Sequence, residues 1–114
     1  MKSKILIVDD EVDFCEIMKN YFTKKGYDVL LAGSLQDGMI ILKKIKPDIL
    51  FLDNNLPDGQ GWEAVDEIVE IVPQIRAYLI SAHKNQFSFK NSQNRNNIMV
   101  WEKPISMRTL DSYF

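Results

Sequence analysis

Asp9 and Asp10 follow the apolar run Ile5 to Val8, and Asp53 follows a second run, Ile49 to Leu52. If the two runs are neighbouring strands of one parallel sheet, the three carboxylates converge at the strand ends. Anions that close push protons onto one another unless a cation compensates, and an all-oxygen donor set with room for water suits a hard ion such as Mg²⁺. Lys103, held by Pro104 just beyond the run Ile98 to Trp101, supplies a fixed ammonium. Ser81, ending the run Ala77 to Ile80, supplies a hydroxyl that can donate to a developing phosphoryl oxygen. Together these are the parts of phosphoryl transfer by positioning and electrostatics. Asp53 would attack phosphorus in line and form a mixed anhydride that water can hydrolyse.

Each residue also has a plainer reading. Asp53, followed by Asn54-Asn55 and Pro57-Asp58-Gly59, is ordinary turn chemistry when taken alone. Asp9 and Asp10 would favour the dipole of a following helix by about 0.3–1 kcal/mol. Ser81 can be a loop residue, Lys103 a solvated lysine, and His83 reads as solvated. What favours a site is that all of these groups fall at the ends of separate apolar runs.

Those runs belong to an alternation of strand and helix. Strands are expected at Ile5 to Val8, Tyr27 to Ala32, Ile49 to Leu52, Ala77 to Ile80 and Ile98 to Trp101. Phe14, Ile17, Met18, Tyr21 and Phe22 form one helical stripe bordered by Cys15, which also reads as core, and Gly26 is a C-terminal stop. Ser34 with Asp37 opens a second helix carrying Leu35, Met39, Leu42 and Ile45, closed by Pro47. Trp62, Val65, Ile68, Val69 and Val72 give a third, and residues 106–114 a short last one with Met107, Leu110 and Tyr113 inward. Between them, residues 84–97 hold five Asn and two Gln with only Phe87 and Phe89 apolar, so the fourth helix is expected to be irregular. Five such units imply an α/β fold: a doubly wound five-stranded parallel sheet with a ligand crevice at the carboxyl ends of its strands.

Composition narrows the function. A chain of 114 residues, 46% apolar, is material for a single domain over residues 1–114. Fourteen Lys and Arg against sixteen Asp and Glu leave a charge of −2, without the basic footprint of direct nucleic-acid binding. A single cysteine excludes an internal disulfide framework and fits a reducing, cytoplasmic setting. No apolar run reaches the roughly 20 residues of a membrane span, and no membrane partner is expected.

Through VDDE at 8–11, LDNNLPDGQG at 52–61, ISA at 80–82 and EKP at 102–104, the chain resembles the receiver domains of two-component response regulators. Separations of 43, 28 and 22 residues between Asp10, Asp53, Ser81 and Lys103 look like those of that family. The resemblance implies the flavodoxin-like receiver fold. It implies Asp53 as phosphoacceptor, Asp10 and Asp53 as direct Mg²⁺ ligands, Asp9 as their acidic support, Asn55 as a ligand through its backbone carbonyl, Ser81 as the switch hydroxyl and Lys103 as the lysine on the phosphoryl group. It implies a sensor histidine kinase or phosphotransfer protein as donor, a downstream output domain or protein, and no conventional enzyme activity beyond the domain's own Mg²⁺-dependent phosphorylation and dephosphorylation. Phosphorylation would switch the surface of the fourth helix, fifth strand and last helix.

Two departures point to an alternative, a pseudo-receiver acting as a phosphate-independent interaction module. Val100 stands where many receivers carry Tyr or Phe, with Trp101 on the opposite strand face, and the Asn-rich segment 84–97 replaces an apolar-striped helix. Nine residues after Ile105 are short for a receiver's closing helix, which raises the expectation of a fragment of a longer regulator.

Overall fold

Five β-rich apolar segments pair in parallel in a computed structural model that describes residues 2–82 and 97–114. They are β1 (Lys4–Val8), β2 (Asp28–Ala32), β3 (Ile49–Asp53), β6 (Arg76–Ser81) and β7 (Ile98–Glu102), each within a residue of its expected limits. Their order across the sheet is β2-β1-β3-β6-β7. The chain turns back between β1 and β3, which places the crevice of a doubly wound sheet at the carboxyl ends of these two strands. The Asn-rich segment expected as an irregular fourth helix, and His83, lie outside the described residues apart from Asn97.

Because successive side chains of a strand face opposite ways, the sheet builds two cores. Leu6, Val8, Leu50, Leu52, Ala77, Leu79 and Val100 face α2 (Leu35–Ile45) and α3 (Val65–Ile71). Ile5, Ile7, Ile49, Phe51, Tyr78, Ile80 and Trp101 face α1 (Val12–Lys24) and the short last helix α4 (Met107–Tyr113). Val100 and Trp101 therefore do lie on opposite faces of β7.

The helix boundaries follow local chemistry. Ser34 Oγ accepts from the Asp37 amide at 3.1 Å to start α2, and Ser106 Oγ does the same for Thr109 at the start of α4. Gly26, just past α1, takes φ +92°, which suits a residue without Cβ. Three inward placements fail at the helix stripes. Ile17 is 53% exposed, Met107 48% and Tyr113 44%, while Cys15, Met18, Phe22 and Leu110 are buried. The apolar face of α1 is rotated so that Cys15, at the stripe's edge in sequence, takes the inward position instead of Ile17. A two-residue hairpin, β4 (Asn55–Leu56) with β5 (Gly59–Gln60), and a 3₁₀ turn (Gly61–Ala64) join β3 to α3, a detail that the turn-rich sequence left open.

Candidate functional site

Registry brings the acidic groups together. β1 and β3 pair Val8 with Leu52, so Asp9, Asp10 and Asp53 leave the sheet side by side, and one oxygen from each falls within 4.8 Å of the others. Asp9 and Asp53 are buried, at 2% and 4% exposure, whereas Asp10 faces solvent. Burial and the charge of Asp9 push the Asp53 carboxyl up to about 6, with the Lys103 ammonium pulling the other way.

Lys103 comes from the end of β7. Its backbone N–H donates to the Ser81 carbonyl at 2.8 Å, which ties the ends of β6 and β7, and a cis peptide joins it to Pro104. The side chain reaches Asp9 Oδ2 at 2.9 Å, donates to Glu11 Oε1, and stands 3.7 Å from Asp53 Oδ1. Phe14 lies under it, with the ring centroid 4.8 Å from Nζ. Burial would lower this ammonium, but the contacts to Glu11 and Asp9 and the charge of Asp53 outweigh it and raise the pKa above the lysine range. Ser81, 1% exposed, ends β6 in register with Glu102.

The loop after Asp53 is held from several sides. The Asn54 amide donates to the Ile80 carbonyl at 3.1 Å, and the Asn54 carbonyl accepts from Gly61 at 3.0 Å. A Cβ on Gly61 would stand 2.3 Å from the Asp53 carbonyl oxygen, so only glycine lets the chain pass there. Asp58 reaches across to α2, accepting from the amides of Leu35 and Gln36 at 2.8 Å each, and these bonds hold its carboxyl below the usual range. Asn55 is exposed and pairs with Gln60 in the hairpin. Buried Cys15 donates weakly to the Asp9 carbonyl, and burial with the Asp9 charge raises its thiol to about 11, so it is a packing residue.

The acidic trio, Ser81 and Lys103 thus share one end of the sheet. Glu11, Phe14, Asn54, Asp58 and Gly61 were not foreseen as parts of the site. VDDE marks Glu11 as one more acid, but only the path of α1 shows that it meets Lys103. The donor set fits a hard divalent cation. It is all oxygen, and one member, Asp10, is open to solvent.

A crevice with clustered carboxylates, an ammonium and a hydroxyl at a topological switch point defines a phosphoryl- and metal-handling α/β module. The family model for the response regulator receiver domain matches residues 5–114, and the chain belongs to that family. It is 35% identical over 89 residues to the chemotaxis protein CheY of Thermotoga maritima, covering 75% of this chain and 72% of that protein. It is 27% identical over 107 residues to the sporulation initiation phosphotransferase F of Bacillus subtilis, covering 94% and 86%. Among solved structures, a two-component response regulator from Clostridium difficile superposes with a TM-score of 0.86 at 25% identity, covering 98% of this chain and 92% of that one. In other curated relatives the chain spans 46% or 30% of their length. Receiver domains are signalling modules of two-component systems and not conventional enzymes. Among the described residues, no helix is long and apolar enough to cross a membrane.

Proposed function

We propose that residues 1–114 act as a single receiver domain whose Asp53 accepts a phosphoryl group from a sensor histidine kinase or phosphotransfer protein. The observation that carries this reading is the convergence of Asp9, Asp10 and Asp53 within 4.8 Å, with Lys103 Nζ 3.7 Å from the Asp53 carboxylate. A carboxylate oxygen of Asp53 attacks phosphorus, the donor leaves with the electron pair of its bond, and an acyl phosphate results. Lys103 neutralises an equatorial oxygen and Ser81 donates a hydrogen bond to another. Asp9, Asp10, Asp53 and the Asn55 carbonyl would hold Mg²⁺, which supplies charge neutralisation at the phosphoryl oxygens when bound.

Water attack on phosphorus returns Asp53 as a carboxylate, so the modification is transient and reversible. The signal is the movement of Ser81 and Lys103 toward the new oxygens, passed on from the ends of β6 and β7 to an output domain or protein. The chain works in the cytoplasm, where the donor kinase presents its phosphohistidine. The intact acidic site favours this reading over a phosphate-independent pseudo-receiver.

Intact-mass spectrometry with acetyl phosphate tests the proposal. The parent gains a single phosphoryl group with Mg²⁺ and none when the metal is chelated. Asp10→Ala binds Mg²⁺ more weakly in a titration and is phosphorylated more slowly. An Asp10→Ala protein that matches the parent in both would refute the metal site.

A further inference from the structure

Lys103 is already engaged. An ammonium has three donors; here one goes to Glu11 Oε1 and another group, Asp9 Oδ2, lies 2.9 Å away, while Asp53 at 3.7 Å is beyond hydrogen-bond reach. Glu11 is no ligand candidate of the acidic trio, and its side chain is 62% exposed. Its position is nevertheless fixed, because its amide donates to Asp9 Oδ1 at 2.9 Å and it stands immediately before the first residue of α1. The Phe14 ring, one turn along α1, closes the other side of the ammonium. The start of α1 therefore forms a holder for Lys103 that is separate from the groups around the phosphorus.

We propose that Glu11 is a positioning residue, a carboxylate that competes with the phosphoryl group for Lys103 and so sets how strongly the phosphorylated state is favoured. The proposal rests on the reading of Asp53 as phosphoacceptor. In the unphosphorylated domain Glu11 and Asp9 hold the ammonium. A phosphoryl group on Asp53 presents oxygens of higher charge, and Lys103 must release Glu11 to meet them. The energy of that lost pair is subtracted from the stability of the phosphorylated form. A ligand can shift a two-state element only by its differential interaction with the two states, and Glu11 makes its contact in one of them.

The test is the affinity for beryllofluoride at saturating Mg²⁺, followed by tryptophan fluorescence or, if that signal is silent, by calorimetry. Glu11→Gln and Glu11→Ala should each bind the mimic about two- to fivefold tighter than the parent, the scale of one partly exposed ion pair. Removing any nearby negative charge would also help an anion bind, so two controls separate the causes. Asp13→Asn removes an exposed charge two residues from Glu11 that, among the described residues, forms no ion pair with Lys103, and should change affinity little. In a Lys103→Met background the Glu11→Gln gain should vanish. Unchanged affinity in both Glu11 variants, an equal gain in Asp13→Asn, or a gain that persists without Lys103 would each overturn the proposal. A parent that binds no beryllofluoride would instead overturn the reading of Asp53 itself, and this proposal with it.

Discussion

Asp53 is held as a buried carboxylate among like charges, and its ionisation has a consequence for stability. Its folded pKa of about 6 lies above the ordinary aspartate value of 3.8, so the protonated form is favoured by folding. That contribution is complete below about pH 4 and is lost as pH rises through 6. In metal-free protein at pH 7.5, Asp53→Asn should therefore raise the unfolding free energy by about 1–3 kcal/mol, and the gain should disappear near pH 4. Chemical denaturation at the two pH values checks this; a variant less stable than the parent at pH 7.5 would contradict it. At this scale the site was largely legible, since Asp9, Asp10, Asp53, Ser81 and Lys103 each end or follow an apolar run and parallel strands gather their ends. Glu11 and Phe14 were not legible as partners of Lys103, because their contact depends on where α1 leaves β1, and spacing alone does not encode that.

The loop from Asp53 to Gly61 is the element that aims the proposed phosphoacceptor. Gly61→Ala would drive a Cβ into the Asp53 carbonyl and to 3.0 Å from Leu52, and relief requires the backbone of the acidic residue to move. We expect a loss of about 1–3 kcal/mol, read in denaturant, and a larger fall in phosphorylation rate than the remaining folded fraction explains. On the strands, Trp101 packs against Tyr78 and Tyr113 with centroids 4.7 and 5.2 Å away. Trp101→Ala should cost about 3–5 kcal/mol. Ile17→Ser, on the exposed side of α1, should stay within about 0.5 kcal/mol of the parent, and a large loss there would show that the stripe expected from sequence is the real core. Strand limits were legible to within a residue because buried parallel strands are continuous apolar runs. Helix faces were less so: with Cys15, Ile17 and Met18 all apolar, periodicity admits two rotations of α1, and packing on Phe51 and Ile7 selects between them.

For the whole molecule, the order β2-β1-β3-β6-β7 is what turns a linear scatter of residues at 9, 53, 81 and 103 into one site. Alternating strands and helices predict such a sheet, and the right-handed crossover rule leaves few arrangements of it. Under the proposed function, the same order gives the switch its route. Ser81 and Lys103 end adjacent strands joined by the Lys103 amide, so a charge placed on Asp53 acts on both at once. Val100, packed with Leu79 in the α2–α3 core, offers no ring to rotate, so under the proposed function the response is expected at the ends of β6 and β7. Under the proposed function a single carboxylate receives the phosphoryl group. Borohydride reduction of protein treated with acetyl phosphate and Mg²⁺, followed by peptide mass mapping, tests it most directly, because reduction converts an aspartyl phosphate to homoserine. Homoserine is expected at position 53 alone; homoserine at position 9 or 10, a stable phosphate on Ser81, or no modified residue in the folded protein would refute the assignment of Asp53.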